Sequence, residues 1–96
     1  MPVIVVATGT SQHKLEFAVQ TIESYFKMRQ LSVSIRSANV YTWDIKEDNP
    51  DVVVLIGPQT FKADVPVISG VPFITKIGME KACAQIEKVL RDNGKL

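Results

Sequence analysis

The stretch Val3-Ile4-Val5-Val6-Ala7-Thr8-Gly9-Thr10-Ser11 decides the fold. An unbroken apolar run rich in β-branched residues stops at Thr8 in a short Gly, Thr and Ser loop, and from Lys14 onward the apolar residues take a helical spacing. This predicts a buried strand, a tight turn and the start of a helix. The turn carries the chemical interest. A helix start leaves backbone N–H groups without intrahelical partners and bears a partial positive charge, so it can seat an anion such as phosphate.

Downstream of the turn, Leu15, Ala18, Val19, Ile22, Tyr25 and Phe26 fall on one helical stripe, with Thr10 or Ser11 as N-cap and Lys27 and Arg29 near the C-terminal end of the dipole. Leu31 to Ser37 alternates apolar and polar residues and predicts a strand with one covered face. A short helix is expected within Ala38 to Asp48, closed by Asn49-Pro50, because proline disfavours helix in the residue before it. Asp51-Val52-Val53-Val54-Leu55-Ile56-Gly57 is a second unbroken apolar strand, of the kind that helices cover on both faces of a parallel sheet. Pro58 to Asp64 is a polar loop, and Val65 to Gly70 a fourth strand whose Pro66 suits an edge or a strand start. Val71-Pro72-Phe73-Ile74 continues into a last helix with Met79, Ala82, Cys83, Ile86, Val89 and Leu90 on one stripe, ended by Asn93-Gly94.

Strands alternating with helices give one α/β domain over residues 1–96, a three-layer open sheet of four mainly parallel strands with helices on both faces. The two continuous apolar strands belong at its centre. Ligands of such sheets meet the carboxyl ends of the strands where the order reverses, and that edge carries Thr8 to His13 and Gly57 to Asp64.

Composition narrows the partners. The chain has 96 residues, 46% hydrophobic and 22% charged, which fits one ordered globular domain. A formal net charge of +1 with no clustered basic excess excludes a broad nucleic-acid footprint. No apolar run reaches the ~18 residues of a membrane span, and the N-terminal run has no basic leader, so a cytoplasmic protein is expected. The single cysteine, Cys83, cannot form an internal disulfide and sits at helical spacing as a small buried hydrophobe.

Spacing excludes several loop chemistries. A dinucleotide fingerprint needs three glycines where this turn has Gly9, and no Gly-Lys-Ser or Gly-Lys-Thr follows as a phosphate loop requires. A receiver-like fold would want a phospho-accepting Asp at the end of the third strand, where Ile56-Gly57 stand. A fourth option is a loop in which a cysteine at the end of the first strand sits in a ring of N–H groups that lower its pKa and bind a transferred phosphoryl. Here Thr8 occupies that position.

On these residues the chain resembles the IIB components of the phosphoenolpyruvate-dependent sugar phosphotransferase system, most closely the galactitol-type branch. Ile4-Val5-Val6-Ala7-Thr8-Gly9 is similar to the family's opening strand and loop, and Asp64-Val65-Pro66-Val67-Ile68-Ser69-Gly70-Val71-Pro72-Phe73 to its later acidic, proline and glycine segment. The resemblance implies a small cytoplasmic phosphocarrier without cofactor or metal, with a loop like that of phosphotyrosine phosphatases. Its members take phosphoryl from a histidine of a IIA partner onto the loop cysteine and pass it to sugar bound by the membrane component IIC. The corresponding loop is Thr8, Gly9, Thr10, Ser11, Gln12, His13 and Lys14, with Thr8 in the catalytic position. The membrane is met only through IIC, and no nucleic acid is involved.

The departures are as informative. Lys14-Leu15 stand where the family has Thr-Ser, and a threonine hydroxyl at position 8 is hardly ionised near neutral pH and would form a stable ester. Whether the chain is an enzyme therefore stays open. It is either a naturally divergent form that binds partners or an anion, or an active phosphocarrier whose cysteine was removed by engineering or replaced by Thr8 or His13. A subunit of an oligomer with no phosphate chemistry is a third reading.

Other residues carry two readings each. His13 is a phosphoryl acceptor or base, or a solvent-facing residue at a helix start. Lys14, six positions after Thr8, is a point charge for a bound anion or an exposed helix lysine. Tyr41 and Trp43 form a partner-facing patch, or at least one of them packs on the sheet. Gln59, Thr60 and Lys62 are second-loop contacts or surface residues, and the carboxylates Asp44, Glu47, Asp48 and Asp51 solvate a helix end rather than hold a metal.

Overall fold

A computed structural model describes residues 2–9, 12–44, 49–57 and 64–96, with the backbone alone at residue 12. Strand β1 (Val3–Thr8) leads into helix α1 (Gln12–Met28), strand β2 (Ser34–Asn39), strand β3 (Val52–Ile56), strand β4 (Val67–Ser69), helix α2 (Val71–Thr75) and helix α3 (Met79–Asp92). The four strands form one sheet in the order β2-β1-β3-β4, and every described pairing is parallel. The chain thus has the expected α/β architecture, and the two continuous apolar runs are its central strands.

The pleat sorts β1 and β3 between two cores. Ile4, Val6, Val52, Val54 and Ile56 face the layer built by α1, α2 and α3, which contributes Leu15, Ala18, Ile22, Phe26, Phe73, Ile86 and Leu90. Val5, Ala7, Val53 and Leu55 face the other way and pack with Ala38, Val40, Trp43 and Val65. Among the described residues no helix packs on this second face. Within 38–44 the expected helix is replaced by strand and turn: Ala38 and Asn39 complete β2, and Asn39 O accepts from Thr42 N and Trp43 N at 3.1 and 2.9 Å. The remainder of that expected helix, 45–48, is not described.

Strand β2 also begins later than its alternation predicts. Pairing starts at Val3↔Ser34, with Ser34 N donating to Pro2 O at 2.8 Å, so Leu31 to Val33 have no strand to pair with. They instead finish the exit from α1. Gln30 takes a left-handed conformation, φ 58°, and Gln30 N and Leu31 N donate to Lys27 O and Phe26 O at 3.0 and 2.9 Å, the paired bonds of a Schellman ending. The same pair closes α3, where Gly94 N and Lys95 N reach Arg91 O and Leu90 O and the left-handed position is a glycine, as the sequence predicts. Strand β4 shortens to three residues, and Val71 to Thr75 is a helix of its own, separated from α3 by Gly78 at φ 78°.

A carboxylate ties the helical layer together. Glu87, buried on α3, accepts from Tyr25 Oη at 2.9 Å and Arg29 Nη2 at 3.0 Å, both on α1, and from Arg91 Nε at 2.8 Å. Burial pushes its pKa up, but the bonds from Arg91, Tyr25 and Arg29 outweigh that and hold it below the ordinary glutamate value. Among the described residues no helix is long and apolar enough to cross a membrane.

Three stability measurements follow from this packing. Gln30→Gly should raise the unfolding free energy measured by urea titration by about 0.5–1 kcal/mol, because glycine takes the left-handed position without steric cost. Gly70→Ala should lower it by about 1–3 kcal/mol, since a Cβ there would stand 2.6 Å from Ile56 Cγ1 and 3.0 Å from Leu55 O. A group whose pKa is depressed on folding stabilises above its unfolded pKa and loses that contribution as pH falls through the folded value. Glu87→Gln should therefore be less stable than the parent at neutral pH by about 1–3 kcal/mol, and the gap should narrow as pH drops below about 4.5 in pH-dependent urea titrations.

Candidate functional site

The connection from β1 runs to β2 on one side, and that from β3 to β4 on the other, so the sheet order reverses between β1 and β3. Their carboxyl ends meet in register, Thr8 beside Ile56. A crevice at this position is where open α/β sheets bind ligands. Gly57, at φ 120°, turns the chain away from the end of β3 in a conformation only glycine adopts readily.

Thr8 is the last residue of β1, and its alternation places it on the α1 side of the sheet with Ile4 and Val6. It is 6% exposed, which leaves a hydroxyl little contact with an incoming group. Its carbonyl accepts from Val40 N at 3.1 Å, so this end of β1 is anchored to the turn after β2. The same turn explains Gly9: a Cβ there would meet Tyr41 Cε2 at 3.0 Å and Val40 Cγ2 at 3.2 Å. Asn39 Oδ1 accepts from Tyr41 N at 2.9 Å and fixes the turn that brings the ring over the glycine. Tyr41 is thus a neighbour of the loop that sequence reasoning placed only in a patch with Trp43. The two rings divide their roles, with Trp43 packed on the second face of the sheet and Tyr41 exposed.

His13 and Lys14 occupy the first turn of α1 and are exposed. With Phe17 on α1 and Phe73, Ile74 and Lys76 from α2 and its cap they line a shallow groove, and Lys76 Nζ lies 5.0 Å from the centre of the Phe17 ring. The fold therefore gathers Thr8, Gly9, His13 and Lys14 at one end of the molecule. Thr10, Ser11, the side chain of Gln12, and Gln59, Thr60 and Lys62 of the second loop lie outside the described residues. The acidic group expected to solvate a helix end does not hold together. Asp51 sits at the opposite, amino end of the sheet, where its Oδ2 accepts from Val3 N at 2.7 Å and its Oδ1 lies 3.5 Å from Lys95 Nζ. Glu47 and Asp48 are not described, and among the described residues no cluster of His, Cys, Asp or Glu could hold a metal ion.

The one sulfhydryl is elsewhere. Cys83 lies on α3, 1% exposed in the core, and burial, with Glu80 nearby, pushes its thiol up to about 11. A thiol in that state is neither accessible nor ionised at neutral pH. In the folded protein Cys83 should resist a disulfide reagent such as dithionitrobenzoate near pH 8 and react promptly once unfolded in urea, which colorimetry reads directly.

No protein-family model and no curated protein sequence matches the chain. Among solved structures, the lactose-specific IIB component domain of the phosphoenolpyruvate:carbohydrate phosphotransferase system from Streptococcus pneumoniae is similar, with a TM-score of 0.59 and 16% identity, covering 92% of this chain and 97% of that one. The likeness extends over essentially the whole domain, and the chain has the α/β fold of that IIB domain, a four-stranded parallel sheet with helices packed on it.

Proposed function

We propose that the chain is a IIB-like component of a phosphoenolpyruvate-dependent sugar phosphotransferase system, galactitol-type by its sequence resemblance, in a divergent form that cannot carry phosphocysteine. It acts through binding, docking a IIA or IIC partner or holding phosphate or another small anion at the loop of residues 8–14. One observation carries this reading: the position at the end of β1 holds a covered threonine, while the chain's single cysteine is a core residue on α3 with a raised pKa. Carriage of phosphoryl between partners needs a nucleophile that accepts the group readily and releases it again. A threonine hydroxyl fails on both counts, because it is not ionised and its phosphate ester is stable.

A second reading rests on His13. Its imidazole is exposed on the first turn of α1, so of the two candidate substitutes for cysteine it is the one a donor could reach. In that case the chain would be an active carrier, taking phosphoryl as a phosphohistidine and passing it to sugar at IIC.

Intact-mass analysis separates the two. After incubation with phosphoenolpyruvate, the general phosphotransferase proteins and a IIA component, the native chain should show no phosphoryl adduct, and Thr8→Cys should acquire one. An adduct on the native chain that disappears in His13→Gln and persists in Thr8→Ala would establish the second reading instead. Titration with inorganic phosphate should shift the amide resonances of Gly9 and His13 if the anion seat exists.

A further inference from the structure

Helix α2 and its cap present an apolar surface to solvent beside the loop. Val71 and Ile74, three residues apart and so on one face of the helix, are 50% and 37% exposed, and Ile77 after the cap is 77% exposed. These residues are held in place. Lys76 N donates to Pro72 O at 2.9 Å, and Ile77 N donates to Thr75 Oγ1 at 3.3 Å. Isolated exposed apolar side chains are ordinary, but three within one short segment give apolar surface of the kind that contacts a partner.

The groove beside Ile74 is lined by ionisable groups of one kind. Ile74 lines the groove whose ionisable members are His13, Lys14 and Lys76, all of them bases. The nearest carboxylates along the chain, Glu16 on α1 and Glu80 on α3, line other grooves. A surface with an apolar centre and a basic rim is complementary to one with an apolar centre and an acidic rim.

We propose that the surface formed by Val71, Ile74 and Ile77 with His13, Lys14 and Lys76 docks a protein partner that presents carboxylates around an apolar contact. This rests on the reading above and deepens it, since it states on which side of the loop the IIA component seats and what chemistry its surface must have.

The test is an amide-resonance titration of the full chain with purified IIA components, repeated for Lys76→Glu and Ile77→Ser. Both side chains are exposed, so both variants should stay folded, which their melting temperatures check, with Lys76→Glu losing its contact with the Phe17 ring. The expected result is that shifts cluster at residues 13–17 and 71–77, that either substitution weakens binding by about tenfold or more, and that raising salt from about 50 to about 500 mM weakens it further. A IIA component that binds equally well to both variants, or shifts only resonances away from α2, would overturn the docking surface and leave the IIB-like reading standing. Absence of binding by every IIA component would overturn both. Loss in the Ile77 variant of binding to phosphatidylglycerol vesicles, or of a dimer seen by sedimentation, without IIA binding, would assign the patch to a membrane or to a second copy and overturn the proposed partner.

Discussion

Strand β1 hydrogen-bonds to a neighbour along both edges, and from Ile4 to Ala7 it is buried on both faces. That double constraint admits no polar side chain until the strand reaches the carboxyl lip of the sheet, so Thr8 is the first residue free to be polar. Because β2 and β3 are parallel to β1 and lie on opposite sides of it, their connections diverge at that lip. The location of the candidate site is therefore a consequence of how the core is built. The chemistry available there is set by the few residues that follow Ala7.

What that chemistry can be is limited by the difference between a fold and a site. The sheet and the helix that starts at Gln12 give the chain the fold of the similar IIB domain. The strand end carries Thr8, and the chain's single cysteine lies in the core on α3. Around that end the described residues present the first turn of α1, a glycine overlaid by Tyr41, and exposed side chains at His13, Lys14 and Lys76.

The two ends of the sheet do different work. At the amino end, Asp51 ties the start of β1 to Lys95 beyond α3, and the helical layer is fastened by Glu87 between Tyr25, Arg29 and Arg91. At the carboxyl end, apolar residues stand in water and the described ionisable groups of the groove are basic. The carboxylates Asp51 and Glu87 that fasten the fold thus lie away from the loop, beside which Val71, Ile74 and Ile77 are exposed.

Sequence alone determined the elements whose signal is local. Continuous apolar runs identified β1 and β3 as the central strands, the 3.6-residue period located α1 and α3, and Asn93-Gly94 marked the end of α3, because each depends on the chain's own spacing and torsions. Only the tertiary structure decided the rest. The start of β2 was set by where β1 begins, the expected helix after residue 37 gave way to strand pairing and an asparagine turn, and Val71 to Thr75 separated from α3 at Gly78. The partners of Glu87 on α1, the place of Asp51 and the contact of Tyr41 with Gly9 join residues 32 to 62 positions apart, and no local pattern encodes such pairs. Spacing reports what one segment will do by itself, whereas register, buried ion pairs and surface patches exist only once segments are placed against one another.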